Sequence, residues 1–176
     1  GAGAGAVIAD CRFRIEGNAM AILLRDVTKE NWQECVRLKL APEQEHFVAS
    51  NAYSIAESKF MPTYIPQAIY HRADGEAEET MVGFVMYGFY PDDEPPFGQR
   101  HWIFRLMIDR DHQGKGYGRE AMRQVLARLE ADPACTSVLI GYETENVIAS
   151  KLYADLGFRE IGPAPWGEMV AERATK

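Results

Sequence analysis

The chain has 176 residues, of which 47% are hydrophobic, and a formal net charge of −7 at neutral pH. This length and composition are typical of one globular domain with a full core. The acidic balance lacks the basic footprint of nucleic-acid-binding proteins, and no apolar run reaches the ~20 residues that a membrane helix needs. We therefore predict one domain that binds neither nucleic acid nor membrane. Its acidity serves solubility or attracts cationic partners, and the sequence leaves both interpretations open.

The cysteines and histidines are scattered along the sequence. An odd number of widely separated cysteines forms no disulfide framework and indicates a reducing compartment. No group of these residues has the spacing of metal ligands, so we predict that the protein holds no metal. The residues are Cys11, Cys35, Cys135, His46, His71, His101 and His112.

The first 19 residues differ in composition from the rest. They begin with Gly-Ala-Gly-Ala-Gly-Ala, which is typical of linkers, and Met20 follows as a natural start. They lack the cationic and apolar segments of a signal peptide. We predict that residues 1–19 are an expression-derived tail, which pairs with a sheet edge in this or a neighbouring molecule, and that residues 20–176 form the domain. The alternation from Val7 to Ile15 leaves a genuine extra strand as the alternative.

The first half of the domain predicts two helices between strands. Apolar periodicity and capping residues place one helix after Thr28, ending before Pro42, and a second from Ser50 to Lys59. The predicted strands are Ala21–Val27, Pro66–His71 and Thr80–Tyr90.

The strand Thr80–Tyr90 is apolar on both faces, which predicts a central position in a sheet. Gly83 and Gly88 within it indicate close backbone approaches or bulges. Asp74-Gly75 predicts a tight turn before this strand, and the proline-rich residues 91–98 predict a loop after it.

The second half alternates strands and helices around a glycine-rich turn at Gln113–Gly118. Apolar spacing predicts a helix that directly follows the turn, and another that Asn146 opens and Gly157 closes. The predicted elements are a strand at His101–Ile108, a helix at Tyr117–Glu130, a strand at Ser137–Tyr142, and a final hairpin of residues 158–161 and 168–171.

The glycine-rich turn predicts a phosphate-binding site. Gly114, Gly116 and Gly118 lack Cβ atoms, so the backbone can bend freely and approach a ligand closely. The first amides of the following helix have no partners in the helix, and the helix dipole favours an anion there. Lys115 and Arg119 add positive charge beside the turn.

Two familiar phosphate motifs fit this turn less well. A Walker loop requires Lys followed by Ser or Thr after its last glycine, and the turn has neither. A Rossmann fingerprint matches Gly116-x-Gly118-x-x-Ala121 with Glu143 at the end of the next strand. However, five residues separate the preceding strand from the first glycine of the turn, and the chain after Glu143 is too short for further parallel βαβ units.

A third motif matches the glycine turn together with the segments before and after it. Gln113-x-x-Gly116-x-Gly118 follows the apolar strand end Leu106–Ile108 and precedes Asn146-x-x-Ala149-x-x-Leu-Tyr153-x-x-Leu-Gly-Phe158. This order resembles the GCN5-related N-acetyltransferases, which use acetyl-CoA. The resemblance implies an α/β (α+β) fold, with one mixed sheet of about six to seven strands splayed between two parallel strands and flanked by about four helices. It also implies a cytoplasmic enzyme, with a homodimer as one assembly that it allows.

The resemblance assigns the acetyl-CoA site residue by residue. The strand end would bind the pantetheine arm and the acetyl oxygen, the glycine turn would bind the pyrophosphate, and the start of the last helix would contact the arm. A simple helix cap is the alternative for Asn146. The implied cofactor-binding residues are Leu106, Met107, Ile108, Gln113, Gly114, Lys115, Gly116, Tyr117, Gly118, Arg119, Asn146, Ala149 and Ser150.

The resemblance also implies the catalytic groups. Tyr153 occupies the position of the general acid, which would protonate the leaving thiolate, and a buried core tyrosine is the alternative. Glu143 and Glu145 follow the splayed strand near the expected amine entry, so either is a candidate general base. Charge at a helix N-terminus is the alternative role for Glu145.

A second resemblance narrows the range of possible acceptors. Gly83-Phe-Val-Met-Tyr-Gly88, Arg100-His-Trp102 and Arg105 look like the bacterial diamine, spermine and spermidine acetyltransferases, but Phe104 stands where an acidic residue is expected. We predict direct transfer, in a ternary complex, to a primary amine of a small cationic acceptor. The candidate counter-charges are Glu43, Glu45, Asp92, Asp93 and Glu94.

The sequence leaves open other acceptors and another class of protein. The acceptor could be an aminoglycoside-like drug, an amino acid or a protein N-terminus, and the chain could be an acyl-CoA-binding module without turnover. Each candidate counter-charge could also be an ordinary solvated surface carboxylate.

Overall fold

The computed structural model describes residues 13–15 and 18–175. Its strands are β1 (Phe13–Ile15), β2 (Asn18–Asp26), β3 (Tyr64–Arg72), β4 (Thr80–Tyr90), β5 (Arg100–Ile108), β6 (Ser137–Tyr142), β7 (Arg159–Pro163) and β8 (Met169–Ala174). Its α-helices are α1 (Trp32–Arg37), α2 (Asn51–Ser58), α3 (Tyr117–Glu130) and α4 (Val147–Asp155), with short 3-10 turns at Pro42–Phe47 and Arg110–His112.

The strands form one mixed sheet in the order β1-β2-β3-β4-β5-β6-β8-β7. From Asn18 onward the sheet has seven strands and is flanked by four α-helices, which confirms the fold class of about six to seven strands and four helices that the resemblance implies. Strand β1 is additional and pairs antiparallel with β2 at the sheet edge, from Phe13–Met20 to Ile15–Asn18. The prediction that residues 1–19 are an expression-derived tail stays a prediction, and residues 1–12, with Cys11 and the start of the Val7–Ile15 run, lie outside the described residues.

Strand β4 is the centre of the core, as its apolar sequence predicts. It pairs antiparallel with β3 and β5, and its residues Met81–Gly88 are all buried. One face of the sheet packs on α3 and α4 through residues such as Val85 and Val125, and the other packs on α1 and α2 through residues such as Phe84 and Cys35. Burial on both faces explains why this strand alternates so little.

Position 88 in β4 requires glycine for two reasons, which are the lack of space for a side chain and the backbone conformation. Its φ is +151°, and a Cβ atom there would stand 2.0 Å from the carbonyl oxygen of Thr63. We predict that Gly88→Ala lowers the free energy of unfolding by about 3 kcal/mol, since strain and overpacking add. Gly162 has a φ of +131° with no atom near its Cβ position, so Gly162→Ala is the control for strain alone. Equal losses for the two variants in denaturant unfolding would contradict the role of the Thr63 contact.

The first helix differs from its predicted bounds. The sequence predicts a helix that Thr28 caps, but α1 begins at Trp32. Thr28 instead closes a turn, because its amide donates to Asn31 Oδ1 (2.7 Å) and its Oγ1 accepts from the amide of Glu30 (3.2 Å). These local bonds compete with the helix ladder and delay its start. Ser50 does cap α2 as predicted, accepting from the amide of Tyr53.

Two neighbouring strands diverge and create the space for a site. Strands β5 and β6 run parallel and pair only from His101–Val138 to Ile103–Ile140. Beyond Ile103, β5 continues to Ile108 paired with β4 alone, while β6 continues to Tyr142 paired with β8. Backbone groups of β5 therefore face an open gap instead of a neighbouring strand.

Candidate functional site

A cleft of about 1010 Å³ opens at the gap between β5 and β6. Its walls come from segments that are far apart in sequence. They are the glycine turn with the start of α3, the first half of α4, the loop between β4 and β5, the hairpin of β7 and β8, and the 3-10 turn with the residues that follow it. The cleft thus reaches both faces of the sheet through the gap between two strands.

The glycine turn lies in this cleft in the conformation that its sequence predicts. Gly114 and Gly116 have φ values of +75° and +81°, which favour glycine, and a Cβ atom at either position would have no atom within 4 Å. Gly116 precedes α3, whose first helical hydrogen bond runs from the amide of Glu120 to Gly116 O (3.2 Å). The amides of the first three helical residues therefore lie outside the helical ladder and can bind an anion.

Gln113 holds the turn against the strand. Its Nε2 donates to Ile108 O (3.0 Å) and to Gln44 Oε1 (2.7 Å), so it ties the turn to β5 and to the 3-10 turn. The two cations of the turn lie differently. Arg119 lines the cleft and donates to Asp155 Oδ2 (2.7 Å), whereas Lys115 is exposed, does not line the cleft and donates to Asp111 O (3.3 Å).

Most of the other predicted cofactor-binding residues also line the cleft. Leu106, Met107 and Ile108 do so where β5 has no partner on its β6 side. Asn146 lines it as well and caps α4, since its Oδ1 accepts from the amide of Ala149 (3.1 Å). The lining residues of the predicted set are Leu106, Met107, Ile108, Gln113, Gly114, Gly116, Tyr117, Gly118, Arg119, Asn146 and Ala149. Lys115 and Ser150 are the two that do not.

Tyr153 is buried where α4 faces the gap. Only 7% of it is exposed, and its ring lies 5.4 Å from that of Tyr142 and 6.0 Å from that of Phe158. Burial raises the pKa of its phenol well above the ordinary value, and the nearby Tyr142 and Glu168 raise the pKa further. The hydroxyl is therefore protonated at neutral pH.

The predicted acidic residues do not all meet at the cleft. Glu143 lines it and is half-buried, whereas Glu145 is exposed and does not line it. Of the five predicted counter-charges only Glu94 lines the cleft. The other four, which are Glu43, Glu45, Asp92 and Asp93, are exposed. In the 3-10 turn it is Gln44, His46 and Phe47, not the two glutamates, that line the cleft.

The cleft also contains groups that the sequence analysis does not identify. Phe97, Trp102 and Trp166 form an aromatic wall, with ring centroids 5.5 Å apart for Phe97–Trp102 and 5.9 Å apart for Phe97–Trp166. Trp166 Nε1 donates to Glu168 Oε2 (2.6 Å), and Glu168 lines the cleft too. No local motif marks Trp166 and Glu168, because only the pairing of β8 with β6 places their hairpin beside the gap.

The described residues contain neither a metal-binding cluster nor a membrane-spanning helix. No group of three or more His, Cys, Asp or Glu side chains in residues 13–15 and 18–175 is placed to hold a metal ion. Within the same ranges, every helix is too short or too polar to cross a membrane.

Comparisons with known proteins agree with this architecture. The spermine/spermidine N(1)-acetyltransferase of Bacillus subtilis is 29% identical over 153 residues, which span 86% of this chain and 97% of that protein. A structure of an aminoglycoside acetyltransferase with coenzyme A has a TM-score of 0.67 at 16% identity, covering 88% of this chain and 95% of that one. The spermidine N-acetyltransferase of Vibrio cholerae with CoA and spermine has a TM-score of 0.61 at 16% identity, covering 86% and 92%.

The two structural likenesses show a shared fold, and a family model gives the relationship. The model for the acetyltransferase (GNAT) family matches residues 25–158, which include the glycine turn, the diverging strands and Tyr153. The chain therefore belongs to the GNAT acetyltransferase family and is an N-acetyltransferase.

Proposed function

We propose that this N-acetyltransferase takes its acetyl group from acetyl-CoA and transfers it directly, in a ternary complex, to a primary amine of a small cationic acceptor of the polyamine or diamine type. One observation carries the proposal. A single cleft joins the glycine turn to an aromatic and acidic wall through the gap between β5 and β6, and Tyr153 lines that gap. A donor and an acceptor bound at its two ends would meet beside this tyrosine.

The residues of the turn fit the pyrophosphate of coenzyme A. The space in front of Gly114 and Gly116 is open, the amides that begin α3 are available, and Arg119 supplies a cation. The backbone edge of Leu106–Ile108 on the β6 side, which has no neighbouring strand, fits the amide groups of the pantetheine arm, and Asn146 and Ala149 line the same cleft. Ser150 and Lys115 lie just outside the cleft and stay peripheral candidates. When bound, acetyl-CoA supplies an acetyl thioester.

Tyr153 is proposed as the general acid. Its raised pKa keeps the phenol protonated at neutral pH, so a proton is at hand when the thiolate leaves. Glu143 and Glu145 stay the proton acceptors suggested by the family resemblance. Glu143 has the better position, because it lines the cleft while Glu145 does not.

The acceptor wall suits an aliphatic cation. The aromatic faces of Phe97, Trp102 and Trp166 can pack on methylene groups and attract ammonium groups through cation–π contacts. Glu94 adds negative charge at the same end. The Bacillus subtilis relative, named as a spermine/spermidine acetyltransferase, is similar along nearly its whole length and supports this class of acceptor.

We expect acetyl-CoA-dependent thiol release with a panel of amines to show the highest kcat/KM for polyamines and diamines, since two cationic groups can use the wall together. The panel includes spermine, spermidine, a linear diamine, an aminoglycoside, an amino acid and a peptide with a free N-terminus. A monoamine of equal chain length is the control for the second charge. A higher kcat/KM for the aminoglycoside or the peptide would reject the polyamine or diamine as the acceptor. The absence of thiol release with any amine would contradict acetyl-CoA as the donor.

A further inference from the structure

We propose that Glu168 is the carboxylate that receives the acceptor's ammonium group and takes its proton, and that Trp166 positions this carboxylate. The proposal deepens the proposed function and rests on it, because it presumes transfer to an amine within the cleft. It adds a proton acceptor on the β7–β8 hairpin, where neither sequence motif nor family resemblance places one.

The position of Glu168 follows from strand pairing. Strand β8 pairs with β6 at Val170–Gly141 and Met169–Tyr142, so the residue before β8 lies beside the end of β6. The last pair between β5 and β6 is Ile103–Ile140. Glu168 therefore lies where the two strands begin to diverge, and it lines the cleft.

Gly141 shows that the carboxylate occupies the surface of β6. A Cβ atom at Gly141 would stand 2.8 Å from Glu168 Oε2 and 3.4 Å from its Cδ. Unlike Gly114 and Gly116, Gly141 has no φ in the left-handed region. Its backbone does not require glycine, and a Cβ atom there would have to displace the flexible end of the Glu168 side chain. Any side chain at position 141 would push the carboxylate away from the gap.

Glu168 and Tyr153 approach the gap from opposite faces of the sheet. Side chains alternate along a strand, so position 141 faces the same way as Leu139, which packs with Trp102 and Val170. Tyr153 packs with Ile140 in the cluster on the other face. An acetyl group held in the gap would have a proton donor on one side and a carboxylate on the other, which is the arrangement that direct transfer needs.

Trp166 fixes one oxygen of the carboxylate. Its Nε1 donates to Oε2 at 2.6 Å, which leaves Oε1 to meet an ammonium group. The same indole ring packs edge-to-face with Phe97, so the hydrogen bond also anchors the hairpin to the aromatic wall. An amine whose chain lies along that wall would bring its nitrogen to Oε1.

The proton balance is complete with these groups. The acceptor's ammonium gives one proton to Glu168, and the freed lone pair forms the bond to the acetyl carbon. Tyr153 gives its proton to the sulfur as the bond between carbon and sulfur breaks and its electron pair passes to sulfur. The new amide nitrogen loses a second proton, which restores the phenol, and Glu168 returns its proton to solvent. The net products are the acetylated amine, the free thiol and one proton.

Glu168→Gln tests the role of the carboxylate, since it keeps the shape and an oxygen that can accept from Trp166. We expect kcat to fall on the order of 100-fold with the best amine of the panel, the loss typical of a missing general base, while the Kd for coenzyme A stays within twofold. Glu172→Gln, four residues further along in β8 and outside the cleft, is the matched control and should keep the wild-type kcat. Glu143→Gln, measured in parallel, tests the cleft carboxylate that the family resemblance suggests as the base.

A second pair of measurements separates chemistry from structure. In Glu168→Ala, added formate should restore part of kcat, because a small carboxylate can enter the vacated space, and a purely structural role would give no rescue. Trp166→Phe should lower kcat about tenfold with KM for acetyl-CoA unchanged, since it removes the orienting donor but keeps an aromatic ring. Thermal melting of each variant checks that the fold is intact.

The outcomes decide between this proposal and the function on which it rests. A Glu168→Gln enzyme with kcat within threefold of wild type, or a large loss in Glu143→Gln alone, would overturn the role of Glu168. Either result would leave the acetyl-CoA reaction in place, because the wild-type protein would still turn over. Failure of the wild-type protein to release thiol with every amine would instead reject the proposed function itself.

Discussion

Tyr153→Phe is expected to lower kcat by about 100-fold while leaving the Kd for coenzyme A within twofold of wild type. The variant removes one oxygen and keeps the ring contacts with Tyr142 and Phe158, so the cleft should keep its shape. What it loses is the proton for the leaving thiolate, and general-acid contributions are typically 10²–10⁴-fold. Steady-state thiol release and calorimetric CoA binding measure the two quantities separately.

Tyr87→Phe is the matched control for removing a buried phenol. Tyr87 is 4% exposed, donates to Gln67 Oε1 and accepts from Arg128 Nη1, each at 3.2 Å, and does not line the cleft. We expect it to lower the free energy of unfolding by about 1 kcal/mol and to leave kcat unchanged. An unchanged kcat in Tyr153→Phe would remove the acid role, and a weakened CoA affinity would show that the phenol serves binding instead.

Gly116→Val is expected to weaken coenzyme A binding by about 100-fold or more, which is about 2.7 kcal/mol at 1.36 kcal/mol per factor of ten. The open space in front of Gly116 is where the proposed pyrophosphate lies against the first amides of α3. A valine side chain would fill that space and separate the phosphate from its donors. Charge-assisted hydrogen bonds of this kind contribute about 1.5–3 kcal/mol each, so the loss of one or two accounts for the effect.

Strain is the competing explanation for any effect of Gly116→Val, and the chain offers a control for it. Gly75, in the turn between β3 and β4, has a φ of +80° against +81° for Gly116, and neither has an atom within 4 Å of its Cβ position. Gly75→Val should therefore lose a similar stability, about 2 kcal/mol, but bind coenzyme A normally. Equal CoA affinities in the two variants would refute the assignment of the glycine turn to phosphate binding.

Local patterns were sufficient wherever short-range chemistry determines structure. The glycine turn, the helix Tyr117–Glu130, the strand Ser137–Tyr142 and the cap at Asn146 depend on steric freedom, apolar spacing and adjacent hydrogen bonds, and all appear as predicted. The start of α1 was misplaced, since Thr28 and Asn31 form a turn that competes with the helix. That competition is also local, but the turn and the helix start differ too little in free energy for capping preferences to predict which one forms.

The acidic residues show where the sequence was insufficient. A run such as Asp92-Asp93-Glu94 predicts negative charge but not which way each side chain points. Of the five predicted counter-charges, only Glu94 lines the cleft. Glu168 was overlooked because it is separated from the glycine turn by about 50 residues and belongs to no motif. Its place depends on the antiparallel pairing of β8 with β6, a long-range contact that no spacing along the chain encodes.

The sequence by itself therefore determined the family, most elements of the fold and the conformation of the glycine turn, because conformational freedom at glycine and apolar periodicity act over a few residues. Only the tertiary structure decided which carboxylates and aromatic rings meet the gap between β5 and β6. That choice follows from where strand pairing stops at Ile103–Ile140 and from which hairpin covers the end of β6, and both are set by packing across the whole sheet.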